Sequence, residues 1–166
     1  MNAKRRATCV AIVLSVAACL APSPARAANL FLQVDTAALT LAPTPADYVR
    51  DYVEATGNAG ISLRIKTSDP VGMAVMVRCS DPAPQIRLND FMVRTLSVPG
   101  TGGSSLATYT PIQATNMFLW STGSQLAPFF VVLTDVRVRN LIGYDDAASA
   151  GTRSYSNTLV FTVVAQ

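Results

Sequence analysis

Groups able to run chemistry are scarce in this sequence. It contains no histidine, so no imidazole is present to take the proton of a serine or cysteine nucleophile, and the Ser-His-Asp and Cys-His hydrolases are excluded. Zinc centres built from His and Cys fall with them. Two of the three cysteines, Cys9 and Cys19, lie among the first 27 residues, which leaves Cys79. It shares the inward phase of Met73, Val75 and Val77, where a thiol is a small buried hydrophobe; reactivity needs exposure and a neighbouring positive charge.

The carboxylates after residue 27 are nine Asp and one Glu, and no Asp-Thr-Gly-like context surrounds any of them. Asp145-Asp146 reads as a solvated turn, because the Asp-x-(Asp/Asn)-x-(Asp/Asn)-Gly loop of a calcium site is missing. Lys66 is the one lysine beyond the N-terminal segment, with Ser62 and Ser68 near it, but a Ser-Lys dyad needs a desolvated amine. Alternation places Lys66 opposite Ile61, Leu63 and Ile65, towards water. Tyr109, Phe118 and Trp120 remain. Period-two spacing puts Phe118 and Trp120 on one side of a strand, either as a core wedge or as an exposed platform for a sugar ring; large aromatics in a one-domain sandwich are mostly core. The sequence therefore predicts no catalytic residue, no cofactor-binding residue and no metal ligand, and the chain reads as a non-enzyme.

What must position these residues is β structure. Half of the 166 residues are apolar and 14% are charged, a balance for one packed domain. Leu30, Leu32 and Val34 alternate with Phe31 and Gln33. Ile61, Leu63 and Ile65 alternate with Ser62, Arg64 and Lys66, and after the Asp69-Pro70-Val71-Gly72 turn the run Met73–Cys79 resumes the pattern as a hairpin partner. Ile86 to Val93 and Thr108 to Thr122 add further strands, with a surface loop or edge excursion over Pro99–Ser105. The apolar run Phe129–Leu133, continued by Val136-Arg137-Val138-Arg139, and the run Asn157–Val164 read as a last pair joined through Gly143 to Gly151. Residues 44–57 carry conflicting signals. Thr44, Pro45, Asp47 and Gly57 spell a short helix, whereas Tyr48, Val49, Tyr52 and Val53 are strand formers, and strand is the choice for 45–55. The total is an all-β, antiparallel, Ig-like β-sandwich of about eight strands.

Residues 1–27 read as a signal peptide: Lys4-Arg5-Arg6, an apolar stretch from Ala7 to about Ala21, Pro22, Pro24, then Ala25-Arg26-Ala27. Cleavage after Ala27 leaves residues 28–166 as one domain, and the apolar stretch is too short to span a membrane. Val16-Ala17-Ala18-Cys19 also fits a lipoprotein box, with Cys19 as the lipidated residue; the soluble product is preferred because a good ordinary cleavage site follows. Either product is exported, to periplasm or cell surface. The formal charge of +3 comes from this segment: without Lys4, Arg5, Arg6 and Arg26, 9 basic side chains face 10 acidic ones. Nucleic-acid binding loses its electrostatic footprint.

Gly60–Ser68 followed by Gly72-Met73-Ala74-Val75 resembles the paired second and third strands of bacterial surface Ig-like modules. Tyr155-Ser156-Asn157-Thr158-Leu159-Val160-Phe161-Thr162-Val163 resembles the terminal strand of spore-coat-U-like and other pilin-type sandwiches, with Asp135 to Asp145 as part of the same tail. The cysteine pair usual in those domains is missing. The resemblance implies a structural or adhesive subunit at the cell surface that meets other protein subunits by β-strand addition. Leu30, Leu32 and Val34 would then be a donor strand, or else this domain's own first strand, which the strand count favours. The alternative function is a periplasmic or surface module that binds a glycan or small ligand through the aromatic strand around Trp120.

Overall fold

The computed structural model describes residues 29–96, 102–148 and 154–166. The signal peptide expected over residues 1–27, the Cys19 box and residues 99–101 of the Gly-rich loop lie outside the described residues. Within them, nine strands form two antiparallel sheets, so the chain is an all-β two-sheet sandwich. One sheet runs β1 (Leu30–Val34), β3 (Ile61–Thr67), β8 (Leu126–Arg139), β5 (Phe91–Thr95), β6 (Thr110–Pro111), with β2 (Tyr52–Ala55) also on β8. The other runs β7 (Met117–Thr122), β4 (Met73–Cys79), β9 (Leu159–Ala165).

Alternation decides which side chains meet between the sheets. Ile61, Leu63 and Ile65 of β3 and Met73, Val75 and Val77 of β4 are all buried, and they join Val93, Leu119, Trp120 and Val132 in one core. Each such side chain contributes about 1.5–3 kcal/mol on leaving water. Cross-strand partners Thr95 and Thr134 also face inward, and their hydroxyls find no hydrogen-bond partner among the described residues.

Strand β8 organises the first sheet. On one edge Ile61 of β3 lies opposite its Thr134 and Ala55 of β2 opposite its Val136, while β5 takes the other edge with Thr95 opposite Thr134. With both edges occupied there, β8 has no room for the final strand. The expected last pair is therefore corrected: β9 joins β4 in the opposite sheet, with Leu159 opposite Cys79 and Ala165 opposite Met73.

A second correction concerns β3 and β4, which are not a hairpin. They belong to facing sheets, and the turn between them carries the chain across the sandwich edge. The Val71 N–H donates to Asp69 Oδ1 at 3.0 Å and the Gly72 N–H to Asp69 O at 3.1 Å. Gly72 has φ +94° and packs so closely on the Thr122 carbonyl that a Cβ would stand 2.0 Å from its oxygen. Only glycine fits there.

The ambiguous segment is both elements in succession. Helix α1 (Pro45–Arg50) follows its capping signals and β2 follows its aromatic and β-branched residues, the switch falling at Asp51 with φ 59°. Asp47 Oδ2 accepts the Thr44 N–H and the Thr44 hydroxyl, each at 2.7 Å, and Arg50 pairs with the other oxygen. The Thr44 hydroxyl, the Thr44 N–H and Arg50 hold this carboxyl well below its ordinary 3.8, at about 2. Folding thus lowers the pKa, so the stabilisation is complete above about pH 4 and fades as pH falls towards 2. Urea midpoints of wild type and Asp47→Asn should accordingly differ at pH 5 and converge by pH 2; a gap unchanged across that range would refute the assignment.

A last correction is helix α2 (Leu141–Ala148), which replaces the turn expected around Asp145-Asp146. The side chains of those two aspartates lie outside the described residues. The chain enters α2 through Asn140, at φ 62°, whose N–H donates to Asp51 O at 2.9 Å, and Asp51 Oδ1 accepts the Ile142 N–H at 3.2 Å. One aspartate thus ends the first helix and caps the second.

Candidate functional site

The residues singled out from sequence do not assemble. Cys79 is 2% exposed, its Sγ 3.7 Å from Asp81 Oδ2, and burial pushes the thiol pKa up. A protonated buried thiol is inert. Lys66 faces outward with its ammonium 5.3 Å from the centre of the Phe129 ring, and Ser68 Oγ accepts the Asn29 N–H at 3.0 Å. No described hydrogen bond joins Lys66 to either serine. Among the described residues, no group of three or more His, Cys, Asp or Glu side chains could hold a metal ion.

The aromatic strand also comes apart, for a reason the alternation rule could not foresee. The β4–β7 register shifts, so that Trp120 lies opposite Val75 but Phe118 opposite Met76, leaving Leu119 as an extra residue. Such a bulge breaks the period of two. Trp120 turns into the core at 1% exposure while Phe118 stays half-buried on the other face. The indole thus offers no open face to a sugar ring. Tyr109 is elsewhere again, on the outer face of the first sheet.

There it joins a cluster that the sequence reading missed. Arg137 lies over two phenol rings, its guanidinium carbon 3.8 Å from the Tyr109 centroid and 4.3 Å from that of Tyr52; the guanidinium carbon of Arg94 also lies over Tyr109, at 4.5 Å. Glu54 Oε2 accepts the Tyr109 hydroxyl at 3.0 Å and Arg137 at 2.8 Å. Asp135 accepts Arg94 at 2.8 Å and the Gly57 N–H at 2.7 Å. Register creates this arrangement: Glu54 lies opposite Arg137, and Arg94 opposite Asp135. Only the outward phase of Arg94, Asp135 and Arg137 was readable beforehand, since strand partners were unknown.

Its electrostatics describe a clamp rather than an acid–base pair. Burial and the Glu54 carboxylate push the Tyr109 hydroxyl up to about 12. Burial raises Glu54, but the hydrogen bonds from Arg137 and Tyr109 outweigh it and hold the carboxyl below its usual range. General acid–base work near neutrality needs pKa values drawn towards 7, and these two move away from it. Each guanidinium has its own carboxylate, so the cluster ties β2, β5, β8 and the chain around β6 together.

Two sheet edges, one from each sheet, lie on the same side of the sandwich. Edge strands β1 and β9 lie close to each other where the two sheets meet, and neither has a further strand partner among the described residues. The Ser68 N–H donates to Asn29 O at 3.1 Å and the Ser80 N–H to Thr158 O at 2.9 Å. From these, antiparallel alternation directs the backbone groups of Leu30, Leu32 and Val34, and of Leu159, Phe161, Val163 and Ala165, to the outer edges. Neither strand contains a charged residue, proline or glycine. Edges are ordinarily blunted by such residues. The far edge of β7 is covered instead: Ser104 O accepts the Ser121 N–H and Leu119 O the Leu106 N–H. Beside β1, on the outer face, Phe31 and Phe129 meet edge to face at 5.0 Å, with exposed Val131 on the same face.

The expected donor residues Leu30, Leu32 and Val34 are paired here with β3 of the same chain. No helix among the described residues is long and apolar enough to cross a membrane. Comparison with protein-family models, curated proteins and solved structures finds no match.

Proposed function

We propose that the chain is an exported, non-catalytic structural or protein-interaction module of the periplasm or cell surface, pilin-like in that it meets its partners by β-strand addition. The observation that carries this reading is the unguarded side formed by β1 and β9. A partner strand laid along β9 would complete the backbone hydrogen bonds of Leu159, Phe161 and Val163 and extend the second sheet. The export half of the proposal rests on the basic, apolar and small-residue succession of residues 1–27.

The experiment uses residues 28–166 and a fluorescent peptide copying Asn29 to Val34. Saturable binding is expected, together with slowed amide exchange at Leu159, Phe161 and Val163. Val163→Pro removes an N–H that points away from β4, so the domain should remain folded while capture is lost. A peptide that fails to bind at millimolar concentration, or binds Val163→Pro equally well, would remove the reading.

A further inference from the structure

Resting on the strand-addition reading, we infer that the occupant of the β9 edge is a second copy of this chain, joined β9 to β9 about a two-fold axis through Thr162. From Ser154 to Gln166 there is no ionisable side chain other than Tyr155. Two copies of this strand can therefore lie side by side without placing like charges opposite each other, the commonest obstacle to self-pairing.

Antiparallel pairing centred on Thr162 sets Phe161 opposite Val163 of the other copy and Leu159 opposite Ala165. These are the residues whose N–H and C=O groups face the free edge, so they become the hydrogen-bonded pairs. Thr162 meets its own counterpart as a non-hydrogen-bonded pair, and Val160 meets Val164. Aromatic–β-branched, Thr–Thr and Val–Val contacts across strands are favourable combinations. A pairing shifted by one residue would leave the outward backbone groups of the two copies out of phase, and a shift by two would keep the phase but shorten the ladder, so the register centred on Thr162, the midpoint of Leu159–Ala165, pairs the most of β9.

Closure and extent follow from the fold. A two-fold contact uses the same patch on both molecules and ends there, giving a dimer instead of a fibre. The second sheets of both copies merge into one, in the order β7-β4-β9-β9-β4-β7. Strand β1, on the same side of the sandwich and also uncharged over Leu30–Val34, brings the two first sheets edge to edge. A ladder of this length is smaller than the roughly 20–30 residues a side of a standard interface, so association in the micromolar range is expected.

The test is carried out on residues 28–166. Sedimentation should show a monomer–dimer equilibrium with concentration, and Thr162→Lys, which sets two ammonium groups opposite each other, should leave monomer. A non-hydrogen-bonded pair brings Cα atoms to about 4.5 Å, within disulfide range. Thr162→Cys should therefore form a disulfide-linked dimer under mild oxidation, at least tenfold faster than Val160→Cys, whose counterpart would be Val164. Monomer at all concentrations, or equal cross-linking by both cysteine variants, overturns the inference. If the chain stays monomeric yet captures the Asn29–Val34 peptide in a manner abolished by Val163→Pro, strand addition stands and the second copy is excluded; if both fail, both fall.

Discussion

Gly72→Ala is expected to cost about 3–5 kcal/mol and to lower the melting temperature by about 10 °C or more. Two independent penalties meet at this position. An L side chain at φ +94° is strained by its own backbone, and its Cβ would lie 2.0 Å from the Thr122 carbonyl oxygen and 2.7 Å from the carbonyl carbon. Both atoms are backbone, fixed in the β4–β7 ladder, so nothing flexible can move aside. Gly57 separates the two effects, since it shares a positive φ of 55° but has nothing within 4 Å of an added Cβ. Gly57→Ala should cost only about 1–2 kcal/mol, the backbone share alone. Thermal and urea unfolding followed by circular dichroism measure both. A Gly72→Ala protein that melts within 2 °C of wild type would mean that β3 and β4 are not joined by this corner.

The second large effect is expected at Arg94. Asp135 is fully buried, and its oxygens have two described partners, Arg94 at 2.8 Å and the Gly57 N–H at 2.7 Å. Arg94→Met leaves the carboxylate in place without its cation, a change that costs about 3–5 kcal/mol for a fully buried pair. Because the Arg94 side chain is 34% exposed, solvent screens part of the attraction, and about 2–3 kcal/mol is the expected loss. Adding Asp135→Asn removes the stranded charge while its amide oxygen still accepts the Gly57 N–H. The double variant should be more stable than Arg94→Met alone, and urea unfolding of the four proteins gives the coupling directly. A loss below about 0.5 kcal/mol for Arg94→Met would place Asp135 in contact with water.

Much of the fold was legible because alternation reports which face of a strand is buried. Ile61, Leu63, Ile65, Met73, Val75 and Val77 all lie in the core as their spacing requires. The same signal says nothing about neighbours. A hairpin within one sheet and a corner between two sheets produce identical alternation, and so β3 and β4 read as paired. Likewise β8 and β9 were legible as strands, but not that β2, β3 and β5 already occupy β8. The extra residue at Leu119 had no mark in composition, and it decides that Trp120 is core. Helix α1 shows the reverse: Thr44, Pro45 and Asp47 stated its beginning, and only the left-handed Asp51 shows how a helix and a strand fit into the same stretch.

The Arg137–Tyr109 cluster illustrates the remaining gap. Glu54, Arg94, Tyr109 and Arg137 come from four separated stretches, and only the register of three strands on each other brings them together. Their phase was predictable, their company was not. The unguarded edges were visible as the uncharged runs Leu30–Val34 and Leu159–Ala165, yet an edge is defined by which strand is missing beside it, a property of topology alone.

Strand β8 also fixes the order of events during synthesis. Three strands that pair directly with it, β2, β3 and β5, all precede it in the chain, and β4 reaches one of its two partners only with β9. A ribosome releasing the chain from its N-terminus therefore emits most of its length before the first sheet can close. Pairing between such distant segments is slow. A polypeptide built on this plan stays threadable while it is being made, and commits to its shape only after its last quarter has arrived.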